Sequence, residues 1–374
     1  MEPFKNRISA DLVGHISAQL QAHVKGFERI GFEKAILKEL DDLELKERAQ
    51  LIADHLHEAL PTVTKKRAAI LRAMLHPRGT EKGQQSDAEG ITGWGMFPLG
   101  MVVGQHGLKD FEGSLELLKD MTGHFSSEFD VRYFLIEDQE RALAVMSDWV
   151  DHPDFHVRRL LSEGTRPRLP WGMQLPRLID DPSPMLPLLE ALRDDKEEYV
   201  RRSVANHLND IAKDHPDLVA KLAKKWLKAA SPAREKLVRH ACRSLIKQGH
   251  RPTLEAFGLG APQIAEPTIK IGTKTIQYGD ALQFSATLTS TFKKPQFLVI
   301  DYLVHFKKAN GERVGKVFKW KKLTLAPGER VEIEKAHAIK PITTRRYYSG
   351  KQGLSLRING ADFGFEEFSL KMPK

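Results

Sequence analysis

The segment FGLGAPQIAEP (residues 257–267) divides the chain into two parts with different periodicities. It contains two glycines and two prolines, which interrupt both helices and strands. Before it, apolar residues recur three and four positions apart, as in an amphipathic helix. After it, apolar and polar residues alternate, as in a strand. We therefore predict a helical domain over residues 1–258, a linker over 259–266 and a β domain over 267–374.

Helical periodicity is clear in segments such as LKERAQLIADHLHEAL (45–60), and the connections are short and contain proline or glycine. A Val-Arg pair recurs at the predicted head of a helix, with its valine at 131, 157, 200 and 238. The last two intervals, 43 and 38 residues, are near the HEAT repeat period, whereas the first, 26 residues, is too short. Because one helical pair cannot bury its apolar stripe alone, we predict a degenerate HEAT-like solenoid with a concave face. A helical bundle without repeat order is the alternative.

The β part has about seven predicted short strands between Gly, Asn and Pro turns, which fits an immunoglobulin-like β-sandwich. The strands are clearest in QFLVIDYLVHFKK (296–308) and GLSLRINGADFGFEEFSLK (353–371). The cysteine pair of secreted immunoglobulin domains is missing, which is ordinary in a cytoplasmic version. A small barrel is the alternative.

The composition excludes several classes of protein. The single cysteine, Cys242, rules out a disulfide framework and a cysteine-based zinc cluster. No signal sequence and no apolar run of membrane-spanning length are present, so we expect a soluble cytoplasmic protein without membrane contact. The sequence also lacks the spacings of zinc, calcium and phosphate-loop motifs. Neither a metal nor an organic cofactor is therefore expected.

The distribution of charge points to a polyanionic partner. The net charge of the chain is +9. Residues 266–374 contain 20 Lys and Arg against 10 Asp and Glu, a net of +10, which leaves 38 basic and 39 acidic residues, a net of −1, for the remainder. An asymmetry of this kind favours contact with nucleic acid or a membrane, although a basic solvated surface without a partner is also common.

Three carboxylates lie beside Val-Arg helices. Glu128 is just upstream of one, Glu163 just past another, and Asp210 within or near the end of a third. Equivalent positions of stacked repeats fall on one face, so the three acids are expected to converge on the concave side. Any one of them alone is more simply a helix cap or a surface salt bridge. The basic residues expected around them are Arg158, Arg159, Arg201 and Arg202.

Basic and aromatic residues alternate in two segments of the β part, KVFKWKK (316–322) and TTRRYYSGKQGLSLR (343–357). Such a pattern suits contacts with phosphates, and loops at one end of a sandwich are placed to reach a groove. A basic strand on a solvated sheet face is the alternative. The residues that we predict to contact phosphates here are Lys319, Lys321, Arg345 and Arg346.

One long segment, HPDFHVRRLLSEGTRPRLPW (152–171), resembles the AlkC family of bacterial DNA glycosylases, which are relatives of AlkD. The segments NDIAKDHPD (209–217), FSSEFDVRYFL (125–135) and GWGMFPLGMVVGQHG (93–107) are similar to further blocks of that family. The resemblance covers the helical part throughout. The appended sandwich resembles the family's larger, immunoglobulin-like subtype.

This resemblance implies a DNA repair enzyme of the bacterial cytoplasm that acts at the nucleoid. It would be a monofunctional glycosylase of base excision repair, without a cofactor and monomeric. It would hydrolyse the N-glycosidic bond of cationic alkylated bases, chiefly 3-methyladenine and 3-methylcytosine, in double-stranded DNA. Glu163, with Glu128 and Asp210, would face the sugar, while Trp171 would pack against the deoxyribose. The arginines expected to hold the phosphates are Arg158, Arg159, Arg166, Arg168, Arg201 and Arg202.

Members of this family are thought to act without full base flipping. A cationic base is already a good leaving group, so little general-acid catalysis is needed. Carboxylates in a dry groove can stabilise an oxocarbenium-like sugar and direct a water molecule.

The main alternative to a glycosylase is a non-catalytic HEAT-repeat scaffold or nucleic-acid-binding protein. An RNA-binding repeat protein would need stacking aromatics at regular repeat positions, which the sequence lacks.

Overall fold

The computed structural model describes residues 3–342 and 345–373, in which helices precede strands. The helices are α1 (Ala10–His23), α2 (Arg29–Leu37), α3 (Leu45–Ala59), α4 (Thr64–Ala73), α5 (Met96–His106), α6 (Phe111–Met121), α7 (Val131–Glu137), α8 (Gln139–Ser147), α9 (Phe155–Gly164), α10 (Pro176–Asp180), α11 (Leu186–Leu192), α12 (Glu198–Ile211), α13 (Pro216–Trp226), α14 (Pro232–Ala241), α15 (Arg243–Gln248) and α16 (Arg251–Ala256). The strands are β1 (Thr268–Ile271), β2 (Thr275–Gln277), β3 (Ala281–Thr289), β4 (Gln296–Lys307), β5 (Arg313–Leu325), β6 (Arg330–Ala338), β7 (Gly350–Ile358) and β8 (Ala361–Lys371). The predicted order, a helical part followed by a β part, is confirmed.

The chain forms two compact units that do not coincide with the two halves of the sequence. The first unit comprises the residues up to Asp214 together with Ser231–Ala241. The second comprises His215–Ala230 and the chain from Cys242 onward. Helices α13, α15 and α16 therefore belong to the same unit as the strands. The domain boundaries at 258 and 267 stay a prediction.

Helices of the first unit pack on one another in an alternating order. Helix α3 packs on α5 and α5 on α7, while α4 packs on α6 and α6 on α8. Further along the chain, α9 packs on α12 and α12 on α14. Packing of alternate helices in chain order is what a helical repeat produces, because each pair buries its apolar stripe against the next pair.

The Val-Arg pairs lie in α7, α9, α12 and α14. Three of them occupy the first turn of their helix, as predicted. The fourth prediction was wrong: α14 begins at Pro232, so Val238 lies in its second half. Proline is favoured in the first helical turn, where its missing N–H costs nothing, and it sets the start of this helix.

Two glycines allow α5 to approach α7 closely. A Cβ atom at Gly100 would lie 2.3 Å from Asp130 Oδ2, and one at Gly104 would lie 2.7 Å from Tyr133 Cδ2. Larger residues at either position would therefore push α7 away. Both glycines thus serve close helix packing. The contact fixes the start of α7, next to which Glu128 lies.

The strands of the second unit form two sheets. One has the order β1-β3-β6 and the other the order β2-β8-β7-β4-β5, with β2 parallel to β8 and the remaining pairs antiparallel. Alternate residues of each sheet enter one apolar core, for example Leu282 and Ala286 of β3 with Leu298 and Val304 of β4. Two sheets that face each other across such a core are typical of a β-sandwich. The alternative of a small barrel does not hold for the described strands.

Among the described residues, no helix combines the length and the apolar character that crossing a membrane requires.

The cysteine at position 242 is buried and free. Burial raises the pKa of the Cys242 thiol to about 12, so the reactive thiolate is scarce at neutral pH.

Candidate active site

Glu128, Glu163 and Asp210 lie close together in the first unit and are joined by two arginines. Arg159 Nη1 donates to Glu128 Oε2, and Arg159 Nη2 lies 3.5 Å from Glu163 Oε1. Arg166 donates from Nη1 to Glu163 Oε1 at 2.7 Å and from Nε to Asp210 Oδ2 at 2.8 Å. Acids and bases alternate along this series of five residues, which we call the acid–arginine chain. The three acids converge, as their places beside Val-Arg helices led us to expect.

Local sequence spacing builds the centre of this chain. Glu163 lies in the last turn of α9, and not just past it as we predicted from the sequence. Arg159 precedes it by four residues and Arg166 follows it by three, the spacings at which helical side chains meet. The helix ends at Gly164, and the following turn brings Arg166 back toward Glu163 and on to Asp210. Asp210 is the penultimate residue of α12, as the sequence indicated.

Electrostatics keep Glu163 ionised. The residue is buried, and burial alone would raise the pKa of its carboxyl group. The charges of Arg159 and Arg166 and the hydroxyl of Ser203 outweigh that effect and hold the pKa of Glu163 below its usual value. Conversely, the neighbouring carboxylates raise the pKa values of both arginines in spite of burial. Each member of the chain therefore stabilises the charge of the next.

Arg132 organises the loop that follows α9. Its side chain is fully buried, donating from Nε to the carbonyl of Met173 at 2.6 Å and from Nη1 to those of Gly164 and Arg166, both at 2.8 Å. Burial, together with the charge of Arg166, lowers the pKa of Arg132 to about 10. One guanidinium thus joins three carbonyls of residues 164–173 and fixes the loop on which Trp171 lies.

Trp171 is an exposed side chain on a fixed backbone. Its side chain is 68% exposed, and its φ of 66° places it in the left-handed region. Lys46 Nζ donates to the carbonyl oxygen of Trp171 at 2.6 Å and so ties this loop to α3. A large aromatic residue that is exposed in an uncommon backbone conformation is characteristic of a functional position and not of a packed core.

A cavity of about 430 Å³ opens beside these residues. Six of the fifteen residues in its wall are aromatic, and Glu128 and Glu163 with their arginines and Lys46 supply the charged part. Asp210 is not in the wall; it is buried behind Arg166 and also accepts from Lys213 Nζ at 3.0 Å. The residues that line the cavity are Leu45, Lys46, Trp94, Phe97, Phe125, Ser126, Glu128, Phe129, Arg159, Glu163, Arg166, Leu169, Pro170, Trp171 and Tyr199.

The remaining predicted arginines of this unit lie elsewhere. Arg158 is buried and pairs with Asp195 through two bonds, Nε to Oδ2 at 2.6 Å and Nη2 to Oδ1 at 3.0 Å. Arg168 pairs with Asp214 in the same two-bond manner, both at 2.8 Å, at a more exposed position. Two further arginines, Arg201 and the exposed Arg202, line a shallow groove beside α14.

The second unit carries a cleft of about 540 Å³ with a strongly basic wall, which we call the basic cleft. The described residues that line it include seven basic side chains and no acidic one: Lys247, Lys307, Lys308, Lys316, Arg345, Arg346 and Arg357. Arg345 is half-buried and packs over the ring of Phe306, 4.2 Å from its centroid. The charge of Arg345 lowers the pKa of Lys316, which shows that the cations repel one another. Lys319 and Lys321 are exposed on β5, outside the wall of the cleft.

Within the described part of the chain, no group of three or more His, Cys, Asp or Glu side chains is arranged to hold a metal ion.

Several residues around Glu163 escaped the sequence analysis. They are Tyr199, Ser203 and His207, spaced by four residues each; Asp210, which the sequence did indicate, follows three residues later, so all four share one face of α12. This polar stripe faces the acid–arginine chain: Arg159 lies over the ring of Tyr199, and Ser203 Oγ donates to Glu163 Oε2 at 2.6 Å. Polar residues at helical spacing beside a candidate acid were the signal that could have found them.

Two family models match the chain. The model for "DNA alkylation repair enzyme" covers residues 129–247, which include every member of the acid–arginine chain except Glu128. The model for the C-terminal Ig-like domain of the protein YhaZ covers residues 265–372. The second match confirms the immunoglobulin-like fold predicted for the strands.

Two relatives are similar to nearly the whole chain. YhaZ of Bacillus subtilis is 36% identical over 362 residues, which are 96% of this chain and 97% of that protein. The structure of the alkylpurine DNA glycosylase AlkC of Pseudomonas fluorescens, bound to DNA that contains an abasic site analogue, is also similar. It matches with a TM-score of 0.83 and 34% identity over 99% of this chain and 100% of AlkC.

Proposed function

The chain belongs to the AlkC family of DNA alkylation repair enzymes, and from this premise we propose that it hydrolyses the N-glycosidic bond of cationic alkylated bases in double-stranded DNA. The substrates would be chiefly 3-methyladenine and 3-methylcytosine, and the products the free base and an abasic site. That AlkC is an alkylpurine DNA glycosylase, seen with an abasic site analogue, supports this reaction for the present chain.

The observation that carries the proposal is a buried carboxylate, Glu163, held ionised in the wall of an aromatic cavity. In the proposed reaction the bond from C1′ to the base nitrogen breaks, and its electron pair neutralises the positive base. The sugar is left as an oxocarbenium-like cation, which the Glu163 carboxylate stabilises. A water molecule adds to C1′, and its proton passes to a carboxylate and then to solvent. Neither a metal nor an organic cofactor enters this sequence.

The three acids divide this work according to their positions. Glu128 shares the cavity wall with Glu163 and is the second group that can orient water or accept its proton. Asp210 lies behind Arg166, so its role in the proposal is to hold Arg166, and through it Glu163, in place. A cationic leaving group makes this arrangement sufficient, because it departs without being protonated.

Trp171 is proposed to pack against the deoxyribose at the mouth of the cavity. Its exposed ring is available for such a contact, and Lys46 and Arg132 fix its backbone. Contact with the indole would exclude bulk water from the sugar and strengthen the interaction between Glu163 and the developing positive charge.

We propose further that the damaged base stays within the duplex and that the enzyme reaches its sugar from the groove. Full flipping would place the base in a closed pocket and unstack it from its neighbours. The fluorescence of 2-aminopurine next to the lesion separates the two modes, since it rises when stacking is lost. A large rise on binding at a rate that matches excision would contradict retention in the duplex.

Both units are proposed to hold the DNA backbone through basic residues. In the first unit these are Arg168, Arg201 and Arg202 at the surface, with Arg159 and Arg166 inside the site. In the second, the candidates are the basic cleft with Arg345 and Arg346, and Lys319 and Lys321 of β5. Neutralising phosphates releases counterions, which would make affinity strongly dependent on salt.

The deciding experiment is incubation of methylated duplex DNA with excess protein, followed by chromatography of the released bases. We expect free 3-methyladenine and 3-methylcytosine at rates well above the enzyme-free reaction, together with alkali-sensitive abasic sites. Binding of methylated DNA without release of a base would instead favour the non-catalytic scaffold.

A further inference from the structure

We infer that Ser203, on α12, is a positioning residue for Glu163 and that it holds the carboxylate from the side opposite the arginines. The inference rests on the proposed function, because it concerns how Glu163 is kept ready for the reaction. Ser203 lines no part of the cavity wall and is 2% exposed, so it would act only through Glu163.

The two oxygens of Glu163 have different partners. Oε1 accepts from Arg166 at 2.7 Å and lies 3.5 Å from Arg159. Oε2 accepts from Ser203 Oγ at 2.6 Å, a length typical of a hydroxyl donating to a charged oxygen. With a donor on each oxygen, the carboxylate cannot rotate without losing at least one charge-assisted bond.

A count of protons fixes the direction of the bonds behind Ser203. Its Oγ also lies 3.0 Å from Ser162 Oγ. Because Ser203 has a single hydroxyl proton and an ionised carboxylate can only accept, that proton belongs to Glu163. Ser203 must therefore accept from Ser162, so the two hydroxyls form a short relay that points toward Glu163.

His207 anchors the far end of this relay. Its Nδ1 lies 2.8 Å from the carbonyl oxygen of Ser162, which can only accept, so Nδ1 carries the proton. Burial lowers the pKa of His207 to about 4, and the ring is neutral at working pH. The carbonyl lies in the last turn of α9, where helical acceptors need partners from outside the helix. His207 thus holds the backbone of Ser162, and with it the hydroxyl that supports Ser203.

The titratable and charged groups around Glu163 come from every element packed against it. They are Arg159 on its own helix, Arg166 after that helix, Arg132 and Glu128 at α7, and Tyr199, His207 and Asp210 on α12. Ser203 does not titrate, so its removal leaves the charge balance of the site intact. Its effect on the ionisation of Glu163 can therefore be measured separately.

The test is the pH profile of single-turnover excision of 3-methyladenine by Ser203→Ala between pH 4 and 8. Loss of a donor to the charged carboxylate raises the pKa of Glu163. Because excision needs the ionised form, activity then begins to fall at a higher pH than in the wild type as the solution is made more acidic. We expect the acid limb to move upward by about one pH unit. At pH 8 the variant should lie within a few-fold of the wild type.

Two further variants serve as controls. Ser162→Ala removes an equally buried hydroxyl from the relay but leaves Ser203 free to donate, so it should move the acid limb less than Ser203→Ala does. Ser203→Thr keeps the hydroxyl and should restore the limb toward the wild-type position. Melting curves of all three, recorded at each pH, identify losses that come from unfolding.

The outcomes separate this inference from the proposed function. A uniform loss of rate at all pH values in Ser203→Ala, with a matching fall in melting temperature, would mean that Ser203 only stabilises the fold. An unchanged profile in a folded Ser203→Ala, while Glu163→Gln is inactive, would overturn the inference alone. Full activity of Glu163→Gln would overturn the proposed role of Glu163 itself.

Discussion

The acid–arginine chain and the basic cleft are both rich in charge, yet they are built in opposite ways. In the first, each carboxylate lies against an arginine, and its members are mostly buried. In the second, seven basic side chains line one cleft, and none of the described residues in its wall is an acid. The first region neutralises its own charge, whereas the second has an excess of positive charge.

This difference indicates what each region can do. A paired, buried charge is held in one geometry and interacts strongly over short distances, which suits a group that must stabilise a transition state. A group of surface cations in which, among the described residues, only Arg357 pairs with an acid, Asp362, acts over about a Debye length and attracts a polyanion with little geometric demand. We therefore expect the first region to control the rate of excision and the second to control affinity and its dependence on salt.

The largest expected effect is that of Glu163→Gln on excision. Glutamine keeps the size and the hydrogen-bonding ability of the side chain but removes its charge, so single-turnover excision should fall about a hundredfold or more. Affinity for DNA should stay constant or rise slightly, because a negative charge near the phosphates is lost. Single-turnover kinetics and fluorescence anisotropy measure the two quantities.

Glu140→Gln is the matched control for that substitution. Glu140 is exposed on α8 and pairs with Arg177, away from the cavity wall. This substitution should leave the excision rate and the affinity for DNA within about twofold of the wild type, because surface ion pairs contribute little. Near-wild-type excision by folded Glu163→Gln would transfer the main role to Glu128.

The second effect concerns affinity. Reversal of Lys316, Lys319, Lys321 and Arg346 to glutamate should weaken binding at low salt by tenfold or more and leave the excision rate at saturating protein nearly unchanged. Each phosphate contact that is lost should reduce the slope of log affinity against log salt by about 0.9. Arg345 is best left in place, because it packs on Phe306 and its reversal would disturb the fold.

Reversal of Lys270 and Lys335, on the three-stranded sheet, is the control for total charge. If the slope of log affinity against log salt falls by the same amount per reversed residue in the control and in the cleft-face variant, the cleft face has no special part in binding. Deletion of the sandwich is a less clean test, since α13, α15 and α16 form one compact unit with the strands and would lose that packing.

A smaller effect on excision is expected for Trp171→Ala. Trp171 borders the cavity but carries no charge, so it belongs to neither of the two charged regions. Loss of its contact with the sugar should reduce excision at saturating protein about tenfold, which corresponds to partial burial of one indole. The melting temperature should stay the same because the side chain is mostly exposed. Trp149→Ala, at a position that is 2% exposed, should instead lose several kcal/mol of stability.

The smallest functional effect is predicted for Arg158→Lys. Arg158 belongs to the buried, paired class but contacts Asp195 and not the acid–arginine chain. Lysine keeps the charge and loses the two-bond geometry, so the free energy of unfolding should fall by about 1 kcal/mol. Excision at saturating protein and the salt slope should not change. A clear fall in excision at saturating protein by the folded variant would show that Arg158 does support the acid–arginine chain.

Much of this architecture could be predicted from the sequence, because its signals are local. The change of period at 257–267 separates helices from strands, and the places of Glu128 and Asp210 relative to their helices were predicted correctly. The meeting of the three acids also followed, since repeats place equivalent positions on one face. The position of Glu163 was predicted wrongly, because α9 continues to Gly164 and Glu163 lies inside its last turn.

The rest depends on pairing that the sequence does not display. Arg158 and Arg159 are adjacent, yet they have different partners. Arg158 binds Asp195, 37 residues further along the chain, whereas Arg159 binds Glu128, 31 residues before it, and lies close to Glu163, four residues after it. Arg132 acts on backbone carbonyls, which leave no mark in a pattern of side chains. Which arginines are buried and satisfied, and which remain for DNA, is decided by the tertiary fold.

The backbone of Trp171 has a consequence for how this family evolves. A residue other than glycine or asparagine in the left-handed region costs about 1 kcal/mol, so glycine at this position would give a more stable protein. The chain keeps tryptophan there and leaves its ring in water, as the proposed contact with the sugar requires. In a descendant that no longer repairs DNA, position 171 should be among the first to drift toward glycine or asparagine, well before the packed tryptophans change.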